Sequence, residues 1–367
     1  MWLVLRSILI VLGLVGTSTF YYVFIQFGVL PKTYKNNSSY ENLEYYKNGI
    51  FISPKEVVYL PDRASGGKIG FMRFLKASEY APKKPLPKML LNKAAFSLEP
   101  EEFALYWLGH SSTILELDGK RILIDPVFGD ASFIPGVVPR YDSSPLKREE
   151  LPHIDIVLLT HDHYDHLEYA TMQHLKKRKD LKFIVPLGVG ERLKKWGISK
   201  ESIYELKWDE NINLMGIEIT ALKGVHFSGR TWFDRNQTLW ASYKIKSKNK
   251  NIFWSGDTGY SKHFKEIGEK YGPFDLVAME IDGWNDAWPN THLYPKQVVE
   301  AAIDLKSKMI LPIHWGVFDL ALHPWNESID MVLAEAEKKE IPVVTPIMGE
   351  KITPGISETK KWWRSDI

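Results

Sequence analysis

The sequence predicts a mixed α/β domain, and three patterns in its 367 residues carry that expectation. Between about residues 100 and 350, short apolar, partly β-branched runs alternate with longer segments of helical spacing. That region opens with strand-like runs alone, as a β-meander does. No unit recurs at a solenoid period, so the alternation describes one folded body and not an array.

Taken in order, Phe103 to Leu108 and Thr113 to Leu117 read as strands, and Asp118-Gly119 is a two-residue hairpin signal leading into Arg121 to Ile124. Ile154 to Thr160 is an apolar run suited to a buried strand. Leu167 to Lys179 has helical spacing and a basic last turn. Asp165 stands where its N-cap is expected, which would put His166 at a helix N-terminus, an end that favours anionic groups. Ile217 to Leu222, Ile252 to Trp254 and Met309 to Ile313 are further strand-like runs. Gly190 to Trp196, ended by Gly197, and Ser261 to Tyr271, ended by Gly272, read as helices, as do Pro295 to Lys306 and Ser328 to Lys339.

The chemistry is concentrated in His161-Asp162-His163-Tyr164-Asp165-His166, three of the chain's eleven histidines within six positions after a strand. Alternate residues of an extended segment point the same way, so His161 and His163 can converge on one ion while Asp165 and His166 face a second. Imidazole and carboxylate donors suit zinc, and iron or manganese less strictly. One loop cannot close two metal shells. His226, Asp257 and His314 each follow a strand-like run, at the sheet edge where ligands collect in α/β folds. Glycines flank Asp257 in Gly256-Asp257-Thr258-Gly259, permitting a tight turn, and make it the expected bridging carboxylate.

Composition excludes several rival chemistries. No cysteine is present, which removes disulfides, thiolate metal sites, cysteine nucleophiles and lipoprotein anchoring. A net charge of +2 carries no nucleic-acid signal. Thirteen tryptophans and seventeen tyrosines suit either an aromatic core or a deep apolar cleft at a membrane interface. Ser7 to Leu30 lacks any charged residue and is long enough for roughly 36 Å of helix, a membrane span by length. Its apolar run continues through Tyr21, Tyr22, Phe24 and Phe27, longer than a signal peptide requires, and an uncleaved anchor is expected. Basic residues dominate from Arg63 to Lys93, interleaved with Phe71, Phe74 and Leu75, and Pro82, Pro85 and Pro87 give the later part a linker-like character suited to resting on anionic lipid. The expected organisation is an anchor over 1–30, a basic, aromatic extension over 31–99, a catalytic domain over 100–352 and a tail over 353–367.

The histidine motif, with Gly256-Asp257-Thr258-Gly259-Tyr260 and Ile313-His314-Trp315-Gly316, resembles the metallo-β-lactamase superfamily. Trp107-Leu108-Gly109-His110-Ser111, Asp125-Pro126, Phe183 to Gly188 and Tyr271-Gly272-Pro273-Phe274-Asp275 resemble its N-acylphosphatidylethanolamine-hydrolysing phospholipase D branch. The resemblance implies an αββα four-layer sandwich built of two similar halves. It assigns a first zinc to His161, His163 and His226 and a second to Asp165, His166 and His314, with Asp257 bridging and Asp257 and Asp165 as the catalytic carboxylates. Tyr164 and His292 match positions that meet lipid substrate, and Asp125 one that orients a ligand histidine. The stretch Glu280 to Asn285 is more acidic than in that branch.

The expected function is hydrolysis of an N-acylated membrane phospholipid to phosphatidate and an N-acylethanolamine, with phospholipid and membrane as partners. Two metals of this class activate water and polarise a phosphoryl oxygen. A lactonase or soluble phosphodiesterase is the enzymatic alternative, and a membrane-tethered, non-catalytic metal-binding protein the non-enzymatic one. The absence of thiolates speaks against a closed structural metal site.

Overall fold

The computed structural model describes residues 2–27, 38–60, 63, 78–231, 233–353 and 360–364. The chain begins with helix α1 (Trp2–Phe27) and a short ribbon, β1 (Tyr46–Lys47) with β2 (Ile50–Phe51). A first half follows: β3 (Phe103–Gly109), β4 (Ser112–Leu117), β5 (Lys120–Ile124), β6 (Ile156–Leu158), α2 (Tyr169–Leu175), β7 (Lys182–Pro186), α3 (Val189–Lys195) and β8 (Ile203–Leu206). The second half comprises β9 (Asn211–Leu214), β10 (Ile217–Leu222), β11 (Ser242–Lys246), β12 (Asn251–Trp254), α4 (His263–Tyr271), β13 (Leu276–Glu280), α5 (Pro295–Asp304), β14 (Ile310–Ile313) and α6 (Glu327–Lys338). Strand β15 (Lys351–Ile352) returns to pair with β3.

The strands form a seven-stranded sheet, β15-β3-β4-β5-β6-β7-β8, and a six-stranded sheet, β14-β13-β12-β11-β10-β9. Both run antiparallel first and parallel afterwards, at β5 to β8 and at β12 to β14; a long loop makes the β5–β6 crossover and helices make the others. The two halves are therefore alike, as the resemblance implies. Side-chain alternation explains the layering. Leu105 and Trp107 of β3 join Ile219 of β10 and Tyr243 of β11 in the core between the sheets. Their neighbours Ala104, Tyr106 and Leu108 face the other way, onto Met172 and Leu175 of α2 and Leu193 of α3. Helices α4 to α6 cover the second sheet, with α5 against β13. The result is the four-layer αββα sandwich. At the β4–β5 hairpin, Asp118 and Gly119 both have positive φ, 46° and 72°, as its two-residue turn demands.

Three expectations are corrected. Helix α2 starts at Tyr169 behind the N-cap Glu168, so Asp165 caps nothing and His166 is not at a helix N-terminus. The cause is the turn His163 to Leu167, closed by Leu167 N–H donating to the His163 carbonyl at 2.9 Å, which directs the Asp165 carboxylate at His110 and His314 instead. The described parts of 31–99 are also no separate extension. Tyr40, Tyr46, Phe51 and Leu86 are buried in the main core, the Tyr45 ring lies 4.4 Å from that of Trp208, and Lys88 pairs with Asp142 at 2.8 Å. The proline-rich stretch is thus packed and not a free linker, while Lys68, Phe71, Arg73, Phe74, Leu75 and Lys76 lie outside the described residues. Finally, within the expected tail, 353–367, the described residues 360–364 are packed on the domain. Trp362 and Trp363 are buried against Trp315, with ring centroids 5.2 and 5.5 Å away, and Trp363 Nε1 donates to Asp330 at 2.7 Å. Nine of the twelve described tryptophans are buried, so most of the aromatic excess serves the core.

Candidate metal centre

The candidate donors meet at one edge of the sandwich because the strands preceding them all end there. Asp125 follows β5, His161 follows β6, His226 lies beyond β10, Asp257 beyond β12, and His314 directly follows β14. The chain must turn sharply at these points. His110, Asp125 and His314 have positive φ, 53°, 41° and 63°, a conformation costing on the order of 1 kcal/mol or more each for a non-glycine residue and characteristic of functional sites. His314 N–H donates to the His110 carbonyl at 3.0 Å, locking two of these turns together. Gly256 has φ of 56°, and a Cβ there would stand 2.9 Å from Thr160 Cβ, so only glycine lets the Asp257 turn approach the histidine loop.

Two groups of donors result. His163 Nδ1 lies 2.8 Å from His161 Nε2 and 3.3 Å from His226 Nε2, and Asp257 Oδ2 is 3.7 and 3.6 Å from the latter two atoms. In the second group, Asp165 Oδ2 lies 3.4 Å from both His166 Nε2 and His314 Nε2. Asp257 reaches this group too, with Oδ1 3.2 Å from His166 Nε2 and Oδ2 3.2 Å from His314 Nε2. Donors held at zinc-like bond lengths in a tetrahedron are about 3.3 Å apart, so the spacing fits a metal shell. The hydrogen bonding agrees: His166 Nε2, Asp257 Oδ1 and His314 Nε2 are buried yet make no hydrogen bond of good geometry among the described residues. Removing a metal from such a set would leave polar atoms stranded.

Surrounding groups fix the donors. Asp125 is fully buried; its carboxylate accepts from Thr160 N–H and Oγ–H at 2.8 and 2.7 Å and meets His166 Nδ1 at 2.8 Å, leaving Nε2 for a metal. His110 Nε2 meets Asp165 at 2.9 Å, so it supports a donor carboxylate. The buried Glu280 carboxylate accepts from Leu293 N–H at 3.0 Å and faces His292 Nδ1 at 3.2 Å. Asp162 points away from its histidine neighbours, as alternation requires, into an ion pair with Arg192 at 2.8 Å. Arg192 also holds Asp234 at 2.9 Å, and Arg230 donates to the carbonyls of Asp162 and Leu167, so the loop bearing His226 is bolted to the loop bearing the motif.

Burial drives His161, His163 and His226 below the usual imidazole range, so they stand neutral and ready to donate. Burial acts in the same sense on His166 and His314, but the Asp257 and Asp165 carboxylates beside them prevail, raising His166 well above the ordinary value and His314 to about 10. Those histidines in turn hold Asp165 and Asp257 well below the carboxylate range against the effect of burial. A metal must therefore displace protons from His166 and His314, and affinity should rise with pH, by about tenfold per unit for each proton displaced, until His314 itself deprotonates. Calorimetric titration of metal into stripped protein, in buffers of different ionisation enthalpy, should count the released protons; binding that is independent of pH between 6 and 8 would contradict this charge arrangement.

A cavity of about 560 Å³ opens onto the donors. His163, Asp165, His226, Asp257 and His314 form its polar floor, whereas Val57, Val58, Tyr59, Phe227, Trp288 and Leu320 give it an apolar wall, into which Arg235 brings a guanidinium. His292 lines it as well. Tyr164, expected to meet substrate, is not among the lining residues; its ring centroid lies 3.8 Å from the Arg230 guanidinium carbon. The structure brings all seven expected metal donors together, adds Arg235 and the Val57–Tyr59 segment to the cavity lining, and sets Glu280 behind His292, none of which sequence reasoning assigned to the site. Only the acidity of Glu280 to Asn285 hinted at one of them.

Residues 120–315 match the Beta-lactamase superfamily domain. The chain is 37% identical over 327 residues to an uncharacterised protein of Mycobacterium tuberculosis, covering 87% of each. It is 33% identical over 262 residues to the N-acyl-phosphatidylethanolamine-hydrolyzing phospholipase D 1 of Caenorhabditis elegans, covering 66% of this chain and 74% of that one. Among solved structures it shares the fold of Igni18, a metallo hydrolase of the archaeon Ignicoccus hospitalis, with a TM-score of 0.54 at 20% identity over 68% of this chain and 97% of that one.

Proposed function

The chain belongs to the beta-lactamase superfamily, as a metal-dependent hydrolase, and from that premise we propose that it is a binuclear zinc phosphodiesterase of phospholipase D type, cleaving N-acylphosphatidylethanolamine-like lipids at a membrane to phosphatidate and N-acylethanolamine. The observation that carries this reading is the cavity, which joins a polar donor floor to an apolar wall as an amphiphilic phosphodiester requires. A closed structural metal site would have no such opening.

In this reading His161, His163 and His226 hold one ion, Asp165, His166 and His314 the other, and Asp257 both. When bound, the ions supply Lewis acidity and water that ionises near neutral pH. The residues do the rest. Arg235 sets a positive charge in the cavity to meet the phosphodiester anion. His292, with Nδ1 held by Glu280, keeps its other ring nitrogen for a substrate oxygen. Asp125 and His110 hold His166 and Asp165 in register. The apolar wall excludes water from the acyl side of the substrate.

Helix α1 contains an apolar stretch, Val4–Tyr22, that is wholly exposed on the protein and long enough, about 28 Å, to cross a bilayer core. As an anchor it would hold the cavity at the lipid surface. One experiment addresses substrate and anchor together: the full chain should sediment with vesicles containing N-acylphosphatidylethanolamine and release N-acylethanolamine, whereas a chain lacking residues 2–27 should stay in the supernatant yet hydrolyse bis(p-nitrophenyl) phosphate. Chelation should stop both reactions. Hydrolysis of neither ester by metal-loaded protein would refute the phosphodiesterase reading.

A further inference from the structure

The donors lie within the span matched to the family, but one wall of the cavity does not. Val57, Val58 and Tyr59 come from far upstream, from a segment with no strand partner of its own. What holds it there is a side chain. The Asn290 amide accepts from Val58 N–H through Oδ1 at 3.0 Å and donates through Nδ2 to the Glu56 carbonyl. A single amide thus pairs with backbone groups on both sides of Val57, as a neighbouring strand would. Leu60 N–H donates to the Ala287 carbonyl, and the Tyr59 ring stacks on Trp288 with 13° between planes.

Asn290 is itself seated against the centre. A Cβ on Gly259 would fall 1.9 Å from the Asn290 carbonyl oxygen, so the loop carrying Asn290 presses directly on the turn that presents Asp257. Two residues later the same loop presents His292, whose ring occupies the space over Gly283: a Cβ there would lie 2.1 Å from His292 Nδ1. The clasp, the Asp257 turn and His292 therefore share one packed unit, and the position of the strap is referenced to the metal centre.

We propose that residues 56–60 are a strap that forms the chain-binding wall of the cavity, taking the aliphatic chain of an amphiphilic phosphate ester, and that Asn290 is the clasp that fixes it and so determines chain selectivity. This rests on the reading of the cavity as the substrate site. Tyr59 and Trp288 give the wall a flat aromatic surface, and Val57 and Val58 give it branched aliphatic ones, with no charged side chain among the four. Such a lining favours methylene groups over a small polar ester.

Photo-crosslinking tests the strap without requiring turnover. A hexadecylphosphocholine bearing a diazirine at the chain end, presented to the full-length, metal-loaded protein in detergent micelles, should label residues 57–59 and Trp288, and a four-carbon analogue should not. Asn290→Ala should lower that labelling about tenfold, as expected when two neutral hydrogen bonds are exchanged for bonds to water, while metal content stays that of wild type. Asn290→Asp, nearly isosteric, keeps the acceptor for Val58 N–H but loses the donor to Glu56, and should fall between the two; it also serves if the alanine variant does not fold. Labelling confined to α1, equal labelling by both chain lengths, or unchanged labelling in both variants would overturn the proposal. Labelling at the strap by a protein that hydrolyses no phosphodiester would leave the strap standing and sink the enzymatic reading instead.

Discussion

His163→Ala should lose one of two bound metal equivalents and about 1000-fold in kcat/KM, roughly 4 kcal/mol of transition-state stabilisation. His163 is the most central donor of its group, with Nδ1 within 3.3 Å of both His161 Nε2 and His226 Nε2. Its removal opens that shell to the cavity it lines. The other group keeps Asp165, His166, His314 and the Oδ1 side of Asp257, so one ion should remain. Asp257→Ala, by contrast, touches both groups and should empty the site. Mass-spectrometric metal analysis alongside steady-state kinetics separates these cases. Full occupancy and activity in His163→Ala protein would remove His163 from the metal shell.

Arg192→Ala should destabilise the fold by about 3–5 kcal/mol, because it strands two buried carboxylates without their cation. Arg192 is fully buried, as is Asp162, and Asp234 is nearly so. Desolvation alone would raise the Asp162 carboxyl; the Arg192 guanidinium above all holds it below the ordinary range, and Gly229 N–H adds a hydrogen bond at 2.8 Å. Without the guanidinium the loop of His161 to His166 and the loop of His226 lose their common tie. Chemical denaturation of the metal-free variant measures the cost, and metal titration should show weaker binding at the His226 group first. A loss under about 1 kcal/mol would mean that water or Arg230 replaces the clamp.

These two effects illustrate what was legible in the chain and what was not. The candidate donors were readable because each lies in a loop just past a strand, and a strand end is a local pattern of apolar residues that needs no knowledge of partners. The pairing of His161 with His163 follows from side-chain alternation, which also turns Asp162 and Tyr164 away, whereas the grouping of Asp165 and His166 with His314 came from the resemblance, since 163–167 is a turn and not an extended segment. Arg192 offered no such signal: in sequence it is one more basic residue in the last turn of α3, and its role exists only because Asp162 and Asp234 are folded onto it. Asp165 looked like a helix cap since an acidic residue before an apolar periodic run usually is one, but the carboxylate is committed to His110 and His314, and the helix starts four residues later at Tyr169.

The segments outside the catalytic region were misjudged for a related reason. Val57-Val58-Tyr59 is too short for a periodicity argument, and Trp362-Trp363 follows a polar, proline- and glycine-containing stretch that reads as a tail. Each is held by tertiary contacts, the first by Asn290 and Trp288 and the second by Trp315 and Asp330. Trp315 directly follows His314, so the terminal tryptophans buttress the backbone of a candidate ligand.

The most direct measurement of the central claim is hydrolysis of N-acylphosphatidylethanolamine by the zinc-loaded full chain in water enriched in oxygen-18, with mass spectrometry of both products. Attack of water on phosphorus predicts the heavy oxygen in phosphatidate, none in N-acylethanolamine, and no product after chelation until zinc is restored. Heavy oxygen in a released fatty acid, or product formation unaffected by metal removal, would contradict it.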